Sequence, residues 1–483
     1  MNAIPPRGLH PDEIRQALDH ICARDLRAKG GDVWAYVYDS GLPEAEAVAE
    51  QALLRFQRLN GLDFTVFPSL LQLENDVVGM VAQLFHPGPE TVGTFTSGGT
   101  ESILLAVKAA RDRFLVRHPN VLVPEIILPV TAHAAFHKAA HLLGLRPVVL
   151  PVNHETFAVP TQAVADAITD RTAMVAVSAV NYSHGVLDPV AEIASLTLER
   201  DVWLHVDACI GGFLLHYLER LGEPIPPFDF RLPGVSSLSV DLHKYAFAPK
   251  GASVLLYRDA ELRRHQIFAC TRWSGYPVLN TTLQSTKSGG PLAGAWAMLN
   301  AVGDEGYLGL ARSILQSRRR LENTLPTIGD FRVLGQPLAG LLAFSSPTLN
   351  LFWLADAMRD RGWYVQVQPG RPEYGLDPSL HLTITPVSER RLDDFLKDLD
   401  DVARLARSVP AFAPLDALPA PQPGTRPTKE QADAILAQLG ILEGGLPERM
   451  ADVNALLRVL PPEWTEQMLI DLANRVFRWE GRG

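Results

Sequence analysis

The sequence predicts an α/β protein: a larger domain on a doubly wound, mainly parallel sheet, followed by a smaller α+β domain. Three observations carry this reading. Between residues 89 and 257 short apolar runs alternate with segments of helical periodicity, the pattern of repeated βαβ units. A Gly-rich strand-to-helix turn, Thr96-Ser97-Gly98-Gly99-Thr100, opens an apolar-periodic helix. Charged residues fall at the ends of apolar runs, at Asp207 and from Asp241 to Lys244, where open α/β sheets present their ligands.

Taken in order, the apolar runs at 125–130, 147–152, 173–179, 202–206, 236–240 and 252–256 are the predicted strands. The helical segments between them are 101–116, 134–143, 161–168, 190–199 and 212–221. Residues 1–50 form an N-terminal segment and 51–291 the large domain. Residues 292–409 are helix-rich, with a strand-like run at 379–385, and form the smaller C-terminal domain. Six prolines within 410–427 mark an extended linker over 410–428. The tail 429–483 is again amphipathic and is expected to pack back onto the body.

Composition narrows the function. The 483 residues include 47% hydrophobic and 20% charged side chains, which describes an ordinary soluble globular protein. Lys and Arg number 44 against 54 Asp and Glu, and the net charge of −10 argues against a nucleic-acid partner, which needs a positive surface. Three scattered cysteines, Cys22, Cys209 and Cys270, imply no disulfide framework and suit a reducing compartment. The first fifteen residues lack the apolar centre of a secretory signal, and no window approaches the ~20 apolar residues of a membrane span. A cytoplasmic location is expected.

The candidate chemistry lies in three ordered pieces: the Gly98-Gly99-Thr100 turn, Asp207 in Leu204-His205-Val206-Asp207, and Lys244 in Asp241-Leu242-His243-Lys244. Pyridoxal phosphate (PLP) asks a protein to hold its aldehyde, charge its ring nitrogen, anchor its phosphate and cover its face. A covered lysine deprotonates more readily and becomes nucleophilic, so Lys244 can supply the Schiff base. Asp207 can pair with the pyridine nitrogen and keep it protonated. The backbone N–H groups of Gly98, Gly99 and Thr100, at a helix start, suit the phosphate. Each piece alone has a plainer reading: a surface lysine, a helix-capping aspartate, a connecting turn.

His133, His137 and His141 recur every four residues, a spacing that can chelate a transition metal on one helix face. The run lacks the glutamate of a metalloprotease helix and has no Cys or carboxylate cluster near it, so no metal is expected. The alternative places His133, at a strand-to-helix junction, on the PLP ring and leaves the other two as ordinary helix residues.

These segments resemble the group II PLP-dependent decarboxylase family and, within it, the branch of the sphingosine-1-phosphate lyases. The resemblance is carried by TSGGTESILLAVKAA at 96–110, AHAAFHKAA at 132–140, HGVLDP at 184–189, LHVDACIGGFL at 204–214, FDFRLPGV at 228–235 and DLHKYAFAPKGASVLLY at 241–257. It is good from about residue 31 to 294 and fainter through the small domain. It implies the fold-type I, aminotransferase-like fold, with Lys244 as the Schiff-base lysine, Asp207 as the ring-nitrogen partner and His133 as the stacking residue. Gly98, Gly99 and Thr100 would bind the cofactor phosphate, helped by His243. The family also implies a homodimer with shared sites, in which Ser288-Gly289-Gly290 reaches the partner's phosphate. Tyr38 and Tyr182 match tyrosines near the scissile bond, and Lys250 matches a lysine near the substrate phosphate.

One segment departs from that pattern. The lyases carry Asn-Pro-Leu-His ahead of Phe-Pro, where the histidine helps hold the substrate phosphate. This chain has Asn60-Gly61-Leu62-Asp63, then Phe67-Pro68. A carboxylate there would repel a phosphate by ~2–4 kcal/mol in a dry site, unless local backbone changes turn it away. The expected activity is a PLP-dependent carbon–carbon lyase acting on an amine, most like aldol-type cleavage of a phosphorylated long-chain amino alcohol. An amino-acid decarboxylase uses the same machinery, and a noncatalytic relative would keep only the fold.

Overall fold

The computed structural model describes residues 4–410, 424–438 and 449–477. The first helices are α1 (Pro11–Cys22), α2 (Pro43–Phe56) and α3 (Pro68–Gln83), each starting on a proline whose missing N–H costs nothing there. The large sheet and its helices then run β1 (Val92–Thr96), α4 (Gly99–Arg117), β2 (Glu125–Pro129), α5 (Ala134–Leu143), β3 (Arg146–Leu150), α6 (Thr161–Ala167) and β4 (Thr172–Ser178). They continue as α7 (Val190–Glu199), β5 (Trp203–Asp207), α8 (Gly212–Arg220), β6 (Val235–Asp241) and β7 (Ser253–Tyr257).

Seven strands pair in the order β1-β7-β6-β5-β4-β2-β3. The pairs from β3 to β6 are parallel, and β7 is antiparallel to both β6 and β1. The sheet is buried on both faces. Alternate residues of β4 show this: Met174 and Ala176 join one apolar cluster with α4 and α5, while Val175 and Val177 join the larger cluster on the other side. Strand β1, absent from the predicted set, is a short run with two threonines and a glycine that lacks an apolar signature.

The small domain holds an antiparallel sheet ordered β10 (Arg332–Val333), β11 (Leu341–Ser345), β13 (Ser379–Thr383), β12 (Gln366–Gln368). Before it come α9 (Ala260–Arg263), the hairpin β8 (Phe268–Cys270) and β9 (Val278–Asn280), and the long α10 (Gly290–Thr324), broken at Gly303. Helix α11 (Leu351–Asp360) packs on the small sheet, and α12 (Ser388–Ala406) packs on α11 and α10.

Two expected boundaries move. The division at 50/51 falls inside α2 and that at 291/292 inside α10, and these two helices pack along each other. A helix is cooperative, so a domain edge within one is not tenable. The N-terminal segment also joins the small domain: Trp34 N–H donates to Tyr364 O at 2.8 Å, Thr383 N–H donates to Trp34 O at 2.7 Å, and the Trp34 ring stacks on Phe395. Most of the proposed linker lies outside the described residues. The tail helices α13 (Lys429–Gln438), α14 (Ala451–Val459) and α15 (Pro462–Val476) share an apolar core of Leu436, Leu456, Trp464 and Met468. They pack back on the body, where the Asp356 carboxylate accepts the N–H groups of Met450 and Ala451.

Candidate active site

The carboxyl ends of adjacent strands converge on one cavity of about 430 Å³. Ser178 ends β4, Asp207 ends β5, Asp241 ends β6, and Ser97 and Gly98 follow β1; all five line it. Parallel pairing sets their spacing, since Ser178 stands opposite Asp207 and Asp207 opposite Ser239. His133, Tyr182, His243, Lys244 and Lys250 also face the cavity.

Asp207 is held from behind. Its Oδ1 accepts the Cys209 N–H at 3.1 Å and the Ser239 hydroxyl at 3.4 Å. Ser239 Oγ lies 3.2 Å from His205 Nε2, and His205 Nδ1 lies 2.8 Å from Ser237 Oγ. His205 is two residues before Asp207 on the same strand face, and burial lowers its pKa to about 4, so it stays neutral.

Lys244 lies in the turn after β6. Its Nζ is 2.9 Å from Asp241 Oδ2, with Lys244 16% and Asp241 2% side-chain exposed. Burial opposes the charge on Lys244, yet Asp241 foremost, with Tyr38, Cys209 and Asp207, raises it above an ordinary lysine. Burial likewise opposes the Asp241 charge, and the neighbouring Lys244 ammonium, with His243, brings it below the usual carboxylate range. The next residue anchors this turn to the small domain: the Tyr245 hydroxyl donates to Gly340 O at 2.7 Å and Ile384 O at 3.1 Å.

The anion-binding corner is the start of α4. No side chain caps that helix, so its first amides are free to meet a ligand. Gly98 has φ +147°, which disfavours a side chain. A Cβ on Gly99 would stand 2.7 Å from Asp241 Oδ2 and 2.9 Å from Oδ1, so glycine is needed where the turn crosses the carboxylate. The turn is tied down by Glu101, whose carboxylate accepts the Ser97 N–H at 2.6 Å and the Leu283 N–H at 2.8 Å. His243 Nδ1 donates to Ala252 O at 2.7 Å, which leaves Nε2 toward Asp241.

His133 is not on the helix face with His137 and His141. It is the N-cap of α5, and its Nδ1 accepts the Ala135 N–H at 3.1 Å. The four-residue spacing in sequence is therefore not a helical spacing at its first member. Among the described residues no three His, Cys, Asp or Glu side chains gather as a metal site.

Tyr182 lines the cavity, stacks on His381 with centroids 4.4 Å apart and donates its hydroxyl to Gln366. Tyr38 lies edge-on to Tyr245, and the Lys250 ammonium sits 5.2 Å from its ring centroid. Burial pushes the Tyr38 phenol up to about 12, opposed by Lys244, and raises Tyr182 further. Lys250 moves the other way, as burial and then the Lys244 charge lower it.

Five candidates fall elsewhere, around an adjoining cavity of about 400 Å³ that shares Ser97, Glu101 and Gly251 with the first. Asn60 forms an antiparallel bridge with Ser288, Gly61 N–H donates to Lys287 O at 2.8 Å, and Gly289 N–H to Leu59 O at 2.9 Å. Ser288 and Gly289 line this second cavity, while Gly290 begins α10. Asp63 is exposed, and its Oδ1 accepts the N–H and hydroxyl of Thr65 at 2.8 and 2.6 Å. Asp63 is thus turned into its own loop and lines neither cavity.

Sequence reasoning missed Asp241 as a site carboxylate, and Ser239 and His205 behind Asp207. The signal for Asp241 was its three-residue separation from Lys244, which a turn closes. That for His205 was the two-residue period of β5.

The residues fit PLP: uncapped helix amides for its phosphate, a buried strand-end carboxylate for its ring nitrogen and a covered lysine between them. Fold and site define a PLP-dependent enzyme of the lyase class. The model described as "Pyridoxal-dependent decarboxylase conserved domain" matches residues 38–346, and the chain belongs to this family. A second model, "Pyridoxal-dependent enzyme, C-terminal putative HTH domain", matches residues 412–475. Sphingosine-1-phosphate lyase 1 of Rattus norvegicus is 36% identical over 405 residues, 83% of this chain and 69% of that protein. Sphingosine-1-phosphate lyase of Dictyostelium discoideum is 38% identical over 376 residues, covering 78% and 69%. The solved structure of Burkholderia pseudomallei K96243 sphingosine-1-phosphate lyase matches with TM-score 0.79 and 36% identity, covering 84% of this chain and 93% of that one. Lactobacillus brevis glutamate decarboxylase, at 20% identity and TM-score 0.74 over 85% and 96%, shares the fold.

Proposed function

We propose that the chain cleaves a carbon–carbon bond of a phosphorylated long-chain amino alcohol, giving an aldehyde and a phosphoethanolamine-like fragment. The observation that carries this reading is the single cavity in which Lys244, Asp207, His133, Gly98–Thr100, Tyr182 and Lys250 meet. Bound there, PLP supplies an electron sink for the pair released as the bond breaks. Lys244 is the covalent attachment point, Asp207 keeps the ring nitrogen charged, His133 covers the ring, and the α4 amides with His243 hold the phosphate. Lys250, at the mouth, carries the charge that meets the substrate's own phosphate.

Of the two phenols, Tyr38 is the better proton acceptor for a substrate hydroxyl. Tyr182 already spends its hydroxyl on Gln366, whereas the Lys244 charge opposes the rise that burial gives the Tyr38 phenol, and Lys250 lies over the Tyr38 ring. Asn60 and Asp63 do not line this chain's own cavity.

The same reading makes the enzyme a cytoplasmic homodimer whose partner supplies Ser288–Gly290. Exposed Phe64, Leu71 and Leu279 border the second cavity, an apolar area suited to burial against another copy. Among the described residues no helix is long and apolar enough to cross a membrane. The C-terminal region matched at 412–475 holds five Lys and Arg against nine Asp and Glu, which opposes a nucleic-acid role.

The test is incubation of the PLP-loaded protein with phosphorylated long-chain bases and with amino acids, products read by mass spectrometry. A fatty aldehyde is expected. Carbon dioxide released from an amino acid, with no aldehyde from any base, would establish the decarboxylase instead.

A further inference from the structure

Two carboxylates end adjacent strands at this site, Asp207 on β5 and Asp241 on β6, and they do different work. Asp207 is engaged by Cys209 N–H and Ser239 and, among the described residues, makes no ion pair. Among the described residues Lys244 pairs with Asp241 alone, at 2.9 Å, with both side chains covered. The geometry is local and rigid: Asp241 is the last residue of β6, in register with Ser253 of β7, and the turn returns Lys244 N–H to Asp241 O at 3.4 Å. Gly99 passes so close over the carboxylate that no side chain fits between, so Asp241 cannot swing toward the helix.

We propose that Asp241 is the positioning residue of Lys244: its carboxylate holds the free ammonium in the cofactor cleft whenever Nζ carries no covalent bond, and so sets the pH at which this lysine becomes a nucleophile. The consequence for turnover rests on the reading of Lys244 as the attachment point; the pair itself does not. Leaving Asp207 free of the lysine is what keeps that carboxylate available for the ring nitrogen. The other titratable groups facing Lys244 are Tyr38, Tyr182, Cys209, His243, Lys250 and Asp207. None lies within ion-pairing distance of it except Asp241.

The experiment is competitive acetylation of the full chain, stripped of cofactor with hydroxylamine, across pH 6 to 11. Peptide mass spectrometry reads Lys244, Lys250 and the exposed Lys138. The midpoint of each profile reports protonation, whereas accessibility changes only its height. In the parent protein the Lys244 midpoint is expected above that of Lys250. Asp241→Asn is expected to lower the Lys244 midpoint and raise its acetylation rate at pH 8 at least about tenfold, the effect of one pKa unit. Asp241→Glu, which keeps the charge, restores the high midpoint. Unchanged Lys244 profiles in Asp241→Asn would overturn the proposal. So would a parent Lys244 midpoint at or below that of Lys250, a comparison that needs no variant to fold. Because no cofactor or substrate is present, failure here is separable from failure of the PLP reading, which is judged by whether the stripped chain regains PLP on Lys244.

Discussion

The strand-end cluster and the loop cluster of candidate residues make an instructive pair. Asp207, Asp241 and Lys244 sit at the carboxyl ends of buried parallel strands whose register fixes their spacing, and they meet within one chain. Asn60 and Ser288–Gly290 also meet, but on the flank of α2 and α3, beside a second cavity edged by exposed apolar side chains, while Asp63 turns back on Thr65. The first group forms a complete constellation. The second lines no part of the first cavity, and in the proposed dimer its purpose depends on what covers it.

The largest effect that would sharpen this contrast is expected from Asp207→Asn. The amide keeps the shape but cannot hold a pyridinium proton, so kcat should fall about 100- to 1,000-fold while PLP binding and the melting temperature stay near the parent values. Near-parent turnover would remove the strand-end cluster from the chemistry.

The loop cluster is probed by complementation. Ser288→Trp is preferred over a change at Gly289, because a Cβ there already meets Leu70 at 2.5 Å and would disturb the same chain. Ser288→Trp and Lys244→Ala chains should each be inactive, and their verified heterodimer should recover part of the activity by assembling one intact site. A heterodimer as inactive as its parents would return Ser288 to a purely structural role.

Lys250→Ala should raise the KM for a phosphorylated base about 10- to 100-fold with a smaller change in kcat, the range of one lost charge-assisted hydrogen bond. The parent should show the matching pH dependence. Lys250 titrates below an ordinary lysine because of burial and the Lys244 charge, and it is cationic only below its pKa. KM should therefore rise with pH before the ordinary lysine range is reached, and that rise should vanish in Lys250→Ala.

The smallest effect is expected at Asp63. Its carboxylate is exposed and occupied by Thr65, so Asp63→Asn should change KM by less than about fivefold, fading further in salt. A larger, salt-resistant change would mean that Asp63 faces a covered partner site after all, and would join the loop cluster to the chemistry.

Much of this was legible in the chain itself. The boundaries of α5 and α7 follow from helical periodicity, and β4 and β5 from short, largely apolar runs, because elements buried against both sheet faces leave the strongest patterns. Asp207, Lys244 and the Gly98–Thr100 turn stood out because ligand chemistry at strand ends needs particular residue types at particular ends. Tertiary structure alone decided the rest. That His133 caps α5, that residues 32–34 join the small sheet, and that Asp63 bends back on Thr65 are outcomes of local hydrogen-bond competition that periodicity does not register. The pairing of Lys244 with Asp241 and not Asp207 is of the same kind: sequence offered two carboxylates, and the turn after β6 chose between them by bringing one to 2.9 Å.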